Sequence, residues 1–306
     1  MELIRGVHNL KLRHRGCALT IGNFDGFHRG HQFLISCLQT ECYKRNLRSM
    51  VMIFEPQPQE FFIGDKIRLA NLRNKLKYLA NAKIDMVLCV AFNKKFSKIG
   101  AYTFINKLLI NKLNVRLICI GGDFCFGVNR RGNSALLHQF SKNAGFEVIS
   151  IVTCIEEGQR ISSSAVRIAL MQDRLTDAEV LLGHPYCISG RVVHGNALGK
   201  TIGFPTANIL LKGYQLPIRG VYIVKIYGIM KDPLPGLANI GLRPTVLGSH
   251  QEFEVHLLDV TLNLYGIYLD VVICSKMRDE KTFISLEKLK DQIRNDVLSA
   301  RNYFGL

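Results

Sequence analysis

The sequence predicts an α/β protein with an added all-β part: a Rossmann-like first half built on a parallel sheet, then an antiparallel β-barrel or sandwich closed by a helix. Two observations carry this. Short apolar runs alternate with helical segments as far as about residue 180, and strands separated by helices imply right-handed crossovers and parallel pairing. Beyond Leu182 the helical period disappears, and short β-type runs are divided by Gly- and Pro-rich connections. A length of 306 residues, at roughly 150 per domain, suits two domains.

In chain order, Cys17–Gly22 is a short apolar run ending in glycine. Gln32–Lys44 is helical in character, Arg48–Phe54 is β-branched and apolar, and Leu69–Ala82 is amphipathic. Met86–Phe92 reads as a buried strand, Ala101–Leu109 as a helix, and Leu117–Gly121 and Phe146–Val152 as further strands. In such sheets ligands lie beyond the carboxyl ends of strands, and the two richest loops, Gly22–Gly30 and Gly121–Gly132, both follow strands. Leu181–Pro185 marks the change of texture, dividing the chain into 1–183 and 184–306. After it come the β-type runs Ile188–Val193, Val221–Tyr227, Phe253–Leu258 and Tyr268–Ser275. Phe283, Leu286, Leu289, Ile293, Val297 and Phe304 then recur at helical intervals and mark the apolar face of a closing helix.

With 48% hydrophobic and 21% charged residues, the composition excludes disorder as the main state. The best apolar run, Ile84–Phe92, contains Asp85 and falls far short of the ~18 residues a membrane span needs. The charged start, Met1–Arg15, lacks an export signal, so a cytoplasmic protein is expected. Nine scattered cysteines form no C-x-x-C pair, so neither a disulfide nor a structural metal is expected. The net charge of +16 is concentrated in residues 1–190, which hold 26 basic and 14 acidic residues. That surplus suits a polyanionic partner, either nucleic acid or a phosphorylated small molecule, and equally a lysine-rich solvated face.

The densest chemical signal is Gly22-Asn23-Phe24-Asp25-Gly26-Phe27-His28-Arg29-Gly30-His31, between a strand and a helix. Gly30 lets backbone approach a ligand, and the helix start offers free N–H groups. His28 and His31 can donate to phosphate oxygens whose charge grows during transfer, or be structural histidines in a glycine turn. Ile161-Ser162-Ser163-Ser164-Ala165-Val166-Arg167 opens another helix; its serines can cap that helix or bind phosphate, and Arg167 offers a two-pronged donor. Asp123, in Gly121-Gly122-Asp123-Phe124-Cys125-Phe126-Gly127, can contact a ribose or a base, and Phe54-Glu55-Pro56-Gln57-Pro58 forms a rigid loop.

In the second half, Gly199-Lys200-Thr201 looks like the end of a P-loop, but His194 stands where that motif needs glycine and Pro205 interrupts the required helix. A glycine-rich flap covering phosphates, with Gly190, Gly195, Gly199 and Gly203, or a set of ordinary β-turns, remains. After Pro205, Thr206 and Asn208 alternate onto one face, where their oxygens can hold a Mg²⁺ shared with nucleotide. In Phe253-Glu254-Val255-His256-Leu257-Leu258-Asp259, alternation puts Glu254, His256 and Leu258 on one face. Glu254 can serve there as a general base, or face water on an edge strand.

Taken together, G-N-F-D-G-x-H-x-G-H, F-E-P-x-P, G-G-D-F-x-F-G and I-S-S-S-x-V-R resemble the adenylyltransferase half of the bacterial bifunctional riboflavin kinase/FAD synthetases. G-x-V-x-x-G, G-F-P-T-A-N, the run Ala238–Thr245, E-V-H-L-L-D, Leu264-Tyr265-Gly266 and the closing helix with Asp291, Gln292 and Asp296 are similar to the riboflavin kinase domain. The match runs from about Ile21 to Ala300, and its one departure, Ser164 in place of the usual threonine, keeps the hydroxyl. The resemblance implies a nucleotidyltransferase domain over 1–183 and a kinase barrel over 184–306. It implies riboflavin, FMN and ATP as substrates, FAD as product, Mg²⁺ as cofactor, and no nucleic-acid or membrane partner.

By the same resemblance, ATP is met in the first half by Gly22, Phe24, Asp25, Gly26, His28, Gly30, His31, Asp123, Ser163, Ser164 and Arg167, with His28, His31 and Arg167 catalytic. In the second half Glu254 is the catalytic base. Gly190, Gly195, Gly199, Lys200, Gly203, Pro205, Thr206 and Asn208 bind nucleotide or flavin, and Thr206 and Asn208 also hold the metal. Two rival readings are a nucleotidyltransferase for another acceptor, against which the β-rich second half counts, and a nucleic-acid-binding module, for which no recognition motif is found.

Overall fold

Six parallel strands carry the first unit: β1 (Glu2–Arg5), β2 (Ala18–Ile21), β3 (Ser49–Glu55), β4 (Met86–Ala91), β5 (Leu117–Gly121) and β6 (Glu147–Ile151), in the order β1-β4-β3-β2-β5-β6. They belong to a computed structural model that describes the chain apart from residues 65–66, 152–154, 157–158, 196–197 and 246–247. Of residues 155, 156, 159, 198, 200, 243–245 and 248–250 the backbone alone is described. The unit comprises residues 1–65 and 72–162.

The inner strands are almost wholly apolar because both faces of the sheet are covered. Leu19, Ile21, Met50, Met52 and Leu88 bury against one layer, whereas Ala18, Val51, Ile53, Val87 and Cys89 alternate onto the other. The second layer is made by α1 (Arg29–Arg45) through Ile35 and Leu38, and by α3 (Leu72–Asn81) through Leu79; the short α2 (Pro58–Ile63) lies between them in sequence. β1 escapes a pattern reading because its charged Glu2 and Arg5 suit an edge strand. The 101–112 helix is regular over Ala101–Thr103 and widens to a π-helix over Phe104–Lys112. It buries Phe104, Ile105, Leu108 and Leu109 against the sheet's first layer. A further helix, α4 (Ser134–Ala144), capped by Asn133, precedes β6.

Chain order reverses between β2 and β5: β2 connects through α1 to β3 on one side and pairs with β5 on the other. The loops leaving β2 and β5 therefore open into one crevice at the carboxyl edge of the sheet, the place an open α/β sheet offers a ligand.

The second unit comprises residues 66–71 and 163–306. Strands β7 (Cys187–Val193), β8 (Ala207–Ile209), β9 (Gly220–Tyr227), β10 (Leu234–Thr245), β11 (Gly248–Leu257) and β12 (Tyr268–Arg278) close an antiparallel barrel in the order β7-β8-β11-β10-β9-β12. Phe253, Val255, Tyr222, Val224, Ala238 and Ile240 fill its interior. Val166, Leu170, Ala178 and Leu182, from α5 (Ser163–Met171) and α6 (Leu175–Leu182), join the same cluster, as does Leu69. The units thus divide at 162/163 by packing, earlier than the texture change at Leu181–Pro185, because the apolar faces of α5 and α6 belong to the barrel core.

β10 is hidden from a pattern reading by Pro235, Gly236, Gly241 and Pro244, residues that argue against a strand. Close packing accounts for Gly236: a Cβ there would come within 2.4 Å of Ile226 Cδ1 and 2.5 Å of the His256 carbonyl oxygen. The closing helix, α7 (Leu286–Phe304), is capped by Ser285, whose hydroxyl accepts from the Lys288 amide. Its buried positions differ from the expected stripe. Leu286 is 57% exposed, while Asp296 and Ala300 are buried, and Val297 and Phe304 pack beside Ala300. Arg278 of β12 grips Asp296 through Nε and Nη2 at 2.7–3.1 Å, so a charge pair sets the helix's contact face.

Candidate functional sites

In the first unit the loop after β2 is shaped by its aromatic residues. Phe24 and Phe27 take left-handed backbone angles, φ 48° and 45°, on either side of Gly26 at φ 77°. Such strain persists where packing over-determines it. Phe24 is fully buried with its ring 4.9 Å from that of His31, and Phe27 stacks on Tyr78 at 5.6 Å. Asp25 and Gly26 are buried inside the turn. The chain then becomes extended at His28 and starts α1, whose first turn His28 caps: the His31 amide donates to His28 Nδ1 at 3.3 Å. An accepting Nδ1 carries no proton, so the ring's donor is Nε2–H.

The His28 and His31 rings stack at 3.6 Å. Burial, then the neighbouring His28 and the Lys75 cation, push the His31 pKa well below its usual value, so the ring is uncharged at neutral pH. Its Nδ1 has no hydrogen-bond partner among the described residues. Close approach is built in at Gly30, where a Cβ would stand 3.2 Å from the His28 ring and 3.5 Å from the Ile161 carbonyl oxygen.

A cavity of about 780 Å³ opens here, lined by Gly22, Phe24, His28, Gly30, His31 and Asp123. Asp123 is ion-paired with Arg160, which lines the same cavity. The opposite character comes from phenylalanines: Phe92 meets Phe54, Phe62 and Phe96 edge-on at 5.7–5.8 Å, and Phe124 stacks on Phe126 at 5.5 Å. The site is thus polar at the helix start, carries the Asp123–Arg160 ion pair, and is apolar and aromatic beyond it. Sequence reasoning missed Arg160 and the aromatic wall, whose members lie in separate segments with no common spacing. Ser163, Ser164 and Arg167 lie on α5, in the second unit, and there Arg167 Nε donates to the Ile67 carbonyl at 3.2 Å.

In the second unit, β8 pairs with β11 so that Asn208 stands directly opposite Glu254. On the other flank of β11, Asn239 of β10 is Glu254's partner. Phe253, Val255 and Leu257 point into the barrel, so Glu254 and His256 share the outer face with Thr206 and Asn208. All four are half-buried. Directly opposed residues bring Cβ atoms to about 5 Å, within reach of one substrate hydroxyl and a phosphate.

The flap glycines crowd this face. A Cβ on Gly195 would fall 2.2 Å from Asn208 Nδ2, and one on Gly199 would fall 2.4 Å from the Phe204 carbonyl oxygen and 3.1 Å from Thr206 Oγ1. His194 stacks on Tyr265 at 3.8 Å, tying the flap to the Leu264-Tyr265-Gly266 loop. Gly203 has φ 90°, Pro205 stands immediately before Thr206, and Gly190 lies buried in β7, where a Cβ would strike Ile209. The Lys200 side chain lies outside the described residues.

Comparison with known proteins finds a family model for each half of the chain. The FAD synthetase family model matches residues 10–165, and the riboflavin kinase model matches residues 182–304. A bifunctional riboflavin kinase/FMN adenylyltransferase from Escherichia coli (strain K12) is 54% identical over 100% of this chain and 99% of its own. One from Haemophilus influenzae is 47% identical over the whole of both. A crystal structure described as a macrolide-efflux protein from Streptococcus pneumoniae superposes with a TM-score of 0.82 at 28% identity over 99% of each chain. Among the described residues, no helix is long and apolar enough to cross a membrane.

Proposed function

The chain belongs to the bifunctional riboflavin kinase/FMN adenylyltransferase family, and from that premise we propose how its residues divide the chemistry. Its function is flavin cofactor biosynthesis: riboflavin is phosphorylated to FMN, and FMN is adenylylated to FAD. We assign the second transfer to residues 1–183 and the first to 184–306.

In the kinase step Glu254 takes the proton of the ribityl 5′-hydroxyl as its oxygen attacks the γ-phosphorus of ATP. The bond to the β,γ-bridging oxygen breaks, and ADP leaves. The observation supporting this is the register that sets Glu254 against Asn208, with Thr206 on the same outer face. Thr206 and Asn208 offer neutral oxygen donors, and Gly195 and Gly199 let the flap backbone approach them directly. Such a set fits Mg²⁺, a hard cation that keeps waters and takes its remaining ligands from nucleotide phosphates. Bound there, Mg²⁺ would neutralise charge on the transferring phosphates. The glycine flap, including Gly203 and Lys200, covers the nucleotide, whereas Gly190 is buried in β7 against Ile209 and serves strand packing rather than the flap.

In the adenylyl step a phosphate oxygen of FMN attacks the α-phosphorus of a second ATP, and pyrophosphate leaves. No proton need move, so positioning and charge stabilisation supply the rate. The stacked His28–His31 pair supports this reading: His28 presents Nε2–H at the start of α1, where it would meet developing phosphate charge. Gly22, Phe24, Asp25, Gly26 and Gly30 shape the turn. Arg160, held by Asp123, adds a cation, and the phenylalanine wall suits the flat isoalloxazine. Ser163, Ser164 and Arg167 are assigned to the triphosphate by family resemblance. The basic surplus then serves phosphorylated small molecules rather than nucleic acid.

Incubating the purified protein with riboflavin, ATP and Mg²⁺ and separating the yellow products tests the whole scheme. FMN should appear first and FAD after it; failure to form either product would refute the corresponding half.

A further inference from the structure

The ladder between β8 and β11 pairs Asn208 with Glu254 and Ala207 with Val255, then stops. One step further the same register sets Thr206 against His256, and here a side chain replaces the backbone rung. His256 Nδ1 lies 2.8 Å from the Pro205 carbonyl oxygen. A carbonyl accepts and cannot donate, so Nδ1 carries the proton. The ring also meets Phe204 edge-on, with centroids 5.9 Å apart at 76°.

The same turn is tied on its other side by the Phe204 amide, which donates to the Gly199 carbonyl at 2.8 Å, but nothing in that bond fixes the Pro205 carbonyl. Gly203 sits at φ 90°, and Pro205 brings no N–H of its own. His256 is firmly seated, because its backbone pairs with Leu237 of β10. Thr206 therefore lies between a carbonyl fixed by His256 and an alanine fixed by the ladder, on the face it shares with Asn208 and Glu254.

We propose that His256 is a positioning residue for the riboflavin kinase reaction: by holding the Pro205 carbonyl it aims Thr206 at the Mg²⁺–nucleotide site. It touches neither substrate nor metal. The inference rests on the assignment of Thr206 and Asn208 to that site, so the experiment must tell the two apart.

The full chain with His256→Asn, His256→Gln, His256→Phe or Thr206→Ala is assayed for riboflavin phosphorylation against ATP at several Mg²⁺ concentrations. FMN adenylylation and the thermal unfolding of each variant are measured in parallel. Asparagine can place its Nδ2 where the histidine Nδ1 lies, so His256→Asn should keep the wild-type KM for Mg-ATP. Glutamine donates from further out and phenylalanine cannot donate, so both should raise that KM about tenfold while kcat changes less. Adenylylation should stay unchanged throughout. If Thr206→Ala loses Mg-ATP affinity while His256→Gln and His256→Phe keep it, or if His256→Asn behaves like His256→Phe, the positioning role is overturned. If Thr206→Ala leaves the Mg-ATP dependence intact, the assignment beneath it falls as well.

Discussion

The His31 amide donates to His28 Nδ1 at 3.3 Å while the two imidazoles stack at 3.6 Å, so the residue proposed to hold ATP phosphate through Nε2 also caps the helix through Nδ1. These two duties can be separated. Asparagine is as good an N-cap as any residue, but its side chain ends short of Nε2. His28→Asn should keep the unfolding temperature close to that of the wild type. FAD formation from supplied FMN should drop about 10²- to 10³-fold, the usual effect of losing one preorganised donor. Riboflavin phosphorylation by the same chain serves as the internal control.

His31 makes the first unit sensitive to acid. Its folded pKa lies well below the 6.5 of an unhindered imidazole, so as pH falls below about 6.5 the unfolded chain takes up a proton that the folded chain refuses. The stability linked to neutral His31 is therefore present above that pH and lost below it, at up to about 1.4 kcal/mol per pH unit. Unfolding temperatures measured from pH 7.5 to 5 should show this slope, and His31→Gln should flatten it.

Glu254 is assigned the base. Glu254→Gln keeps the side chain's size and removes its basicity, and should lower FMN formation about 10²- to 10⁴-fold. FMN supplied directly should still become FAD at the normal rate. Parallel loss of both activities would refute the division of labour between the units.

The Arg278–Asp296 pair anchors the closing helix, with both side chains largely buried. Asp296→Ala leaves a buried guanidinium unpaired and should destabilise the second unit by about 3–5 kcal/mol. The double replacement Arg278→Met with Asp296→Leu should recover most of that loss, since well-packed apolar residues can substitute for a buried pair. Denaturant unfolding followed through riboflavin phosphorylation would read both effects.

What the sequence determined by itself is whatever depends on neighbours along the chain. The apolar runs at Met50–Phe54, Met86–Val90 and Leu117–Ile120 had to be covered strands, and His28-Arg29-Gly30-His31 had to begin a helix, because those periods are local. The strand period of two likewise puts Glu254 and His256 on one face before any partner strand is known. Tertiary structure decided what depends on distant partners. Phe54, Phe62, Phe92 and Phe124 become one wall, and Asp123 finds Arg160, because the β2–β5 crossover gathers separate loops. β10 forms despite its prolines because two neighbours supply ladders, and α7 turns Asp296 rather than Leu286 inward because Arg278 waits for it. The link from His256 to Pro205 spans 51 residues, a contact that no local period encodes and that register alone creates.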